Sequence, residues 1–321
     1  MSQQLIHSPA LKPAAGTRTG PPRRPSSRGS SLSRRERTGA VFIAPHMLML
    51  GLFMLVPTVY AVYSSLFATK LIGGRQYVGL ENYRTVLHSG EFWSGVARVL
   101  VFGAIQVPLT LGIAFAFAAL FDAGVIRGSR FFRTVYFMPF AVPGVVASVM
   151  WSFLLLPGFG AYAKALKALG LGHVDFFSSR LILPTIMLIV IWEWTGYNMT
   201  ILYTSLKSIP KEVTEAAIME GASLWRIILH IKLPMVMPSI VMLVFLNAVG
   251  ALQLFTEPSI LASFQPQAIS FGFTPTLFVY HTAVGSGEYE LGAAAAVVLA
   301  LIIGAISVAG FAVRRRNGEF R

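Results

Sequence analysis

Long apolar runs without a charge, separated by short polar connections, set the pattern of this chain. A helix needs about 20 apolar residues to span a bilayer. Six stretches reach that length: roughly Ala40–Phe67, Val99–Phe121, Val135–Leu156, Leu181–Leu206, Pro234–Phe255 and Leu291–Val313. The fourth carries one charge, Glu193, between the strongly apolar flanks Leu181–Ile191 and Met199–Leu206. A further charge-free gap, Pro258–Gly287, reads differently. Pro258, Pro266 and Pro275, among scattered Ser, Thr, Gln and Gly, argue against a lipid-exposed helix. Irregular backbone at membrane depth has to be covered by protein or line a cavity, so this segment reads as an external or re-entrant loop. The pattern predicts an all-α integral membrane protein with six transmembrane helices across residues 40–313.

The ends differ from this core. Residues 1–39 are rich in Pro, Gly, Ser, Thr and Arg and carry no apolar period, which reads as a disordered basic tail. The uncharged run that follows, Thr38 to Thr69, is far longer than the apolar region of a signal peptide. Residues 314–321 form a second, short basic end.

Composition agrees with the pattern. The chain has 321 residues, of which 55% are hydrophobic and 12% charged, whereas soluble domains carry roughly 25% charge. Its formal charge of +13 would suggest nucleic acid in a soluble protein. In a membrane protein the same excess can be an orientation signal, because Lys and Arg collect on the cytoplasmic side. With six spans and a cytoplasmic N-terminus, 19 of the 26 Lys and Arg fall inside. They lie in the tail, at Arg127, Arg130 and Arg133, at Lys207, Lys211, Arg226 and Lys232, and at Arg314, Arg315, Arg316 and Arg321. Counted with the acids, the cytoplasmic side nets +13 and the remainder nets zero. A seventh span would move Arg314–Arg316 to the wrong side. The excess therefore implies membrane lipid headgroups as partners, and no nucleic acid.

Some chemistries are excluded. The chain has no cysteine, so disulfides, thiolate metal sites and cysteine nucleophiles are absent. Its six His are scattered without helical pairing, so no metal site is predicted. No Ser-His-Asp arrangement can be read, and an intramembrane enzyme is not favoured.

The connection Lys207–Pro238 carries more information than the spans. Pro210 suits a first helical turn, and Glu212 and Glu215 lie near the positive end of the dipole. Gly221 interrupts the helix, and Ser223 can cap a second short helix through Leu229. Two short helices joined at a glycine, with Pro234 at the re-entry into the membrane, make a compact knob suited to docking.

These residues resemble the EAA loop of ABC-importer permeases: Glu215-Ala216-Ala217, Gly221, and Ile231-Lys232-Leu233-Pro234 at the family's spacing. Glu220 stands where sugar permeases commonly have Asp. Val78-Gly79-Leu80-Glu81-Asn82-Tyr83, Arg133-Thr134-Val135-Tyr136-Phe137-Met138-Pro139, Trp151 with Leu156–Gly160, and Phe255-Thr256-Glu257-Pro258 resemble further stretches of carbohydrate permeases. The Thr-x-Gly-Gly-Pro usual after the last of these is missing around Ser263–Gln267.

The resemblance implies a type I ABC-importer permease fold with a cytoplasmic coupling helix, in a bacterial cytoplasmic membrane with both termini inside. It implies a heterodimer with a second permease subunit, two ATPase subunits, an extracytoplasmic substrate-binding protein and a sugar substrate. Glu215, Ala216, Ala217, Gly221, Leu233 and Pro234 would couple to the ATPase. This chain has no Gly-rich phosphate loop, so ATP and Mg would be bound by the partner subunits and it is not itself an enzyme. The competing class, an autonomous secondary transporter or channel, would need no ATPase.

Polar residues inside spans face cavities or partners by default. Glu193, Tyr197, Asn198, Asn247 and Gln253 are the candidates for a substrate path, since carboxylates and amides beside aromatic faces suit a sugar. A second reading stays open for them: aromatic residues belong to interface belts, and Asn247 can hydrogen-bond another helix. Lys164 and Lys167 fall in a short amphipathic outer helix whose polar face is interfacial.

Overall fold

A computed structural model describes residues 34–70, 72–157, 160–170 and 174–316. Of the tail expected as disordered over residues 1–39, residues 1–33 lie outside the described residues, as do Gly158 and Phe159 of the expected exit from the third span and residues 317–321; residues 34–39 are helical. Contacts divide the chain at Leu55. The first unit contributes α1 (Arg34–Leu50), with Pro45 inside it, and a π-helical turn, Gly51–Leu55. Side chains 41–50 are exposed throughout, an apolar surface with no core of its own.

The second unit starts with α2 (Val56–Ser64) and a hairpin of β1 (Phe67–Lys70) and β2 (Gly74–Tyr77), paired antiparallel from Phe67 opposite Tyr77 to Lys70 opposite Gly74. Gly73 and Gly74 take the positive φ of the reversal (103° and 67°). Asn82, on α3 (Glu81–His88), donates to the carbonyls of Ser65 and Phe67 and fixes the hairpin to the helices. Helix α4 (Gly90–Asp122) follows at once, its first turn capped by Ser89.

α5 (Ser129–Ala141) and α6 (Gly144–Leu155) occupy the stretch read as the third span, but they meet at 98°. The expected continuous helix is broken by Pro143. The residue before a proline is pushed out of the α region, and Val142 is extended (φ −78°, ψ 125°). A short helix, α7 (Ala161–Ala168), forms where one was expected and carries Lys164 and Lys167. Next come α8 (Ile182–Lys207), α9 (Lys211–Met219), α10 (Leu224–Ile227), a π-helical turn at Ile228–Lys232 and α11 (Leu233–Leu252). α12 (Thr256–Phe264), α13 (Pro275–Tyr280), a π-helical turn at His281–Gly285 and α14 (Tyr289–Arg316) complete the chain.

Among the described residues, four helical stretches are long and apolar enough to cross a membrane: Val41–Ser64, Gly90–Asp122, Leu224–Phe264 and Tyr289–Gly310, or five if the bent pair α5–α6 is one span. α8 has the length at 26 residues. Its polar run from Trp192 to Asn198 keeps it outside that set.

The loop read as external or re-entrant is built from α12 and α13 rather than irregular chain. Arg98 of α4 donates to the carbonyl of Phe273 at 2.7 Å, and Ile269 and Phe273 are buried. Leu277 donates to the Thr274 hydroxyl, which caps α13 ahead of Pro275. The loop is thus anchored on the helices at Ile269 and Phe273, while Phe264 and Phe271 stay exposed.

Burial is arranged in three clusters. One joins the first half of α4 to α6, α8 and the α12–α13 loop; a second joins the later half of α4 to α8 and α11; a third packs α3 and the start of α4 on α14. Where lipid replaces water, helix association rests on close packing and small residues. Gly196 of α8 lies directly against the backbone carbonyl of Tyr136 on α5, where a Cβ has no room. Spare hydroxyls are satisfied within their own helices: Ser148, Ser152, Thr200 and Thr204 all donate to the carbonyl four residues back.

Candidate functional site

Three helices wall a cavity of about 400 Å³ with polar groups in its lining. α4 contributes Phe102 and Gln106, α8 contributes Val190, Trp194 and Tyr197, and α11 contributes Leu246, Asn247, Gly250 and Ala251. The turn from α11 into α12 closes it with Gln253, Leu254, Phe255, Thr256 and Glu257. One wall is aromatic. Phe140 stacks on Tyr197 with ring centres 4.6 Å apart, and Trp194 meets both edge-on. An amphipathic lining of this kind can take hydroxyls on its amides and carboxyl while an apolar face rests on the rings.

Of the five residues expected on a substrate path, Tyr197, Asn247 and Gln253 line this cavity; Glu193 and Asn198 do not. Asn198 is wholly buried. It exchanges amide hydrogen bonds with Asn247 across the α8–α11 contact, at 2.9 Å and 3.3 Å. Each also donates to a carbonyl four residues back, Trp194 for Asn198 and Leu243 for Asn247. The helix-to-helix reading left open for Asn247 therefore holds, alongside its place on the cavity wall.

Glu193 is buried with Oε1 lacking a hydrogen-bond partner, and it faces Glu257. Both carboxyl groups crowd the start of α6: a Cβ on Gly144 would sit 3.6 Å from Glu257 Oε1 and 3.7 Å from Glu193 Oε1. Glu257, two residues beyond the fifth predicted span and not among the five, lies at a cavity edge. Gln106, bonded to Thr110 at 2.8 Å, was also missed. An amide inside an apolar run was the available signal.

The second region is the Lys207–Pro238 connection. α9 begins after Pro210, with Glu212 in its first turn, and ends in a two-bond left-handed cap. Gly221 donates to Ile218 O and Ala222 to Ala217 O, with Gly221 at φ 79°. That is the conformation glycine adopts without strain. Glu215 and Ala216 face outward, and Ala217 is buried against the body.

Beyond Gly221 the expected second short helix does not stop at Leu229. Ser223 occupies the N-cap position without a side-chain cap bond, and α10 passes through the π-helical turn into α11. Leu233 and Pro234 open α11 directly after the π-helical turn, where Leu233 donates to the Ile228 carbonyl. The outer surface of the knob is apolar for a polar connection: Ile218, Met219 and Trp225 are 58%, 87% and 64% exposed. At its root lies a smaller cavity of about 240 Å³, bounded among others by Asp122, Lys207, Lys211, Glu215 and Lys232.

The profile of the family described as "binding-protein-dependent transport system inner membrane component" matches residues 109–316. The chain belongs to this family. It is the permease component of an ABC transporter, not the ATPase, and a multi-pass inner-membrane protein. The matched region holds α5 to α14, and with them Tyr197, Asn247, Gln253 and the whole knob.

Named relatives are permeases too. This permease is 29% identical over 272 residues to the sn-glycerol-3-phosphate transport system permease protein of Salmonella typhimurium, covering 84% of this chain and 92% of that one. A protein of Thermoanaerobacterium thermosulfurigenes described as "probable starch degradation products transport system permease protein" is 25% identical over 273 residues, covering 84% and 90%. Among solved structures, a chain of a bacterial alginate ABC transporter, in complex with alginate pentasaccharide-bound periplasmic protein, superposes with a TM-score of 0.79. It is 19% identical over 88% of this chain and 96% of that chain, which establishes the shared fold.

Proposed function

We propose that this permease is one half of the membrane channel of an ATP-driven carbohydrate importer. In this reading it crosses the membrane six times, α8 and the bent pair α5–α6 included, with both termini in the cytoplasm. A second permease subunit completes the path. An extracytoplasmic substrate-binding protein delivers the sugar, and two cytoplasmic ATPase subunits holding ATP and Mg drive the cycle.

The cavity between α4, α8 and α11 is the substrate passage in this proposal. Its rings would stack on the C–H face of a sugar, and Asn247, Gln253 and Glu257 would take hydroxyls. The knob is the coupling element: Glu215 and Ala216 on its outer face, Ala217 and Gly221 shaping it, Leu233 and Pro234 joining it to α11. A starch-product permease and a glycerol-phosphate permease among the relatives support a polyhydroxylated substrate.

The observation that carries the proposal is the shape and surface of that knob. A helix closed by Gly221, with Ile218, Met219 and Trp225 exposed at its tip, is a surface that water disfavours and a protein groove would cover. Replacing Glu215 with Lys, or Gly221 with Val, is expected to abolish ATP-driven uptake in a complex that still assembles. Uptake unchanged in both variants, or purification from the native host without any ATPase subunit, would overturn the reading.

A further inference from the structure

The two stems of the knob are fastened to one carboxylate. Asp122 is the last residue of α4, and its side chain is only 6% exposed. Lys207, the last residue of α8, reaches Oδ1 at 2.9 Å; Lys232, immediately before α11, reaches Oδ2 at 2.5 Å. Lys207 also approaches the Asp122 backbone carbonyl at 3.4 Å. The carboxylate thus joins the ends of α4, α8 and the start of α11, the same three helices that wall the 400 Å³ cavity.

Position explains the chemistry. The C-terminal end of α4 leaves carbonyls that favour cations, and each lysine brings one. A buried carboxylate is tolerated only when paired. Here both of its oxygens are taken, one by each stem. Removing Asp122 would leave Lys232, 9% exposed, as an uncompensated buried charge.

We infer that Asp122 is a positioning residue for transport: by holding Lys207 and Lys232 together it makes the knob's two stems and the three cavity helices move as one body. Displacement of the knob by the ATPase is then passed to the cavity wall and is not absorbed by the stems. This inference rests on the coupling role proposed for the knob. It assigns to Asp122 no contact with substrate or ATPase.

The test uses the assembled transporter in nanodiscs. The chain has no cysteine, so Leu246→Cys on the cavity wall gives it a single thiol. Labelling of this chain by a membrane-impermeant maleimide is compared with and without ATP and vanadate. With Asp122 intact, trapping is expected to change the labelling rate. In Asp122→Ala, with vanadate trapping on the ATPase retained, that change should shrink by about fivefold, within the range that substitutions along a coupling route produce. Asp122→Glu should recover most of it, which a loss of packing alone would not.

If Asp122→Ala fails to assemble, Asp122→Asn combined with Lys207→Gln and Lys232→Gln is decisive, since it cuts both stems and leaves no buried charge unpaired. An unchanged trapping response in the variants that assemble would overturn the inference. Glu215→Lys is measured in parallel. If it abolishes the response while the Asp122 variants keep it, only the role of Asp122 falls; if it too keeps the response, the coupling reading of the knob falls.

Discussion

Asn198 and Asn247 hold each other's amide groups across the α8–α11 contact, one buried completely and the other on the cavity wall. Breaking one side orphans the other. Asn247→Leu should lower stability by about 0.5–2 kcal/mol, the range for interhelical polar pairs in membranes. The double variant Asn198→Leu with Asn247→Leu should be more stable than the sum of the two singles, because no unpaired amide remains. Thermal unfolding of the four proteins in one detergent checks both statements.

Gly196 has no space for a side chain, because the Tyr136 carbonyl lies where its Cβ would be. Gly196→Ala should therefore push α5 from α8 at a cost of about 1–3 kcal/mol, the usual range for overpacking. Gly250→Ala on α11 serves as control, since nothing lies within 4 Å of the place its Cβ would take. Size-exclusion recovery after graded heating should fall for the first and not for the second.

Gly221 holds φ at 79° in the cap of α9. A side chain there costs about 1–2 kcal/mol, paid locally. In Gly221→Ala, amides of residues 217–222 should exchange with deuterium several-fold faster. Gly221→Asn should be milder, because Asn tolerates the left-handed region. Exchange in α4 should not change in either.

Tyr197 presents its ring to the cavity and is braced by Phe140. Tyr197→Ala should raise the KM for uptake by about fivefold, the equivalent of one aromatic contact near 1 kcal/mol. Trp192→Ala removes a ring that does not line the cavity and packs on Trp151 instead. It should lower thermal stability with little change in KM. Uptake kinetics with the cognate binding protein, next to thermal unfolding, separate the two effects.

Met219 and Trp225 are the most exposed large hydrophobic side chains of the knob. Met219→Asp should weaken retention of the ATPase subunits by about tenfold, since a charge would have to be desolvated in an apolar groove. Stability of the isolated permease should be unchanged. Co-purification at graded salt measures the first, and thermal unfolding the second.

How much of this was legible in the sequence depends on the kind of interaction. Apolar runs mark helices because backbone in lipid must satisfy itself, so α2 lies inside a predicted stretch, α4 and α14 enclose two others, and α11 overlaps a fourth. The break at Pro143 was written in the chain, yet the apolar count of Val135–Leu156 hid it. Gly221 was legible because a positive φ is a local requirement. Asp122 was not. It stands 85 residues from Lys207 and 110 from Lys232, and only packing brings such distant positions together. Glu257 was hidden similarly: in sequence it begins a loop, in space it closes the cavity beside Glu193.

The cap on α9 also bears on how the permease meets whatever grips it. Gly221 and Ala222 give their amides to carbonyls of the same helix, so the knob is finished before any partner arrives. A segment that folds only on docking surrenders about 2–5 kcal/mol to ordering itself. This one would surrender little, and in the coupling role proposed for it, capture would be a collision of formed surfaces, limited by diffusion and orientation. Release is equally simple. The knob can leave one grip and enter the next without ever losing its fold.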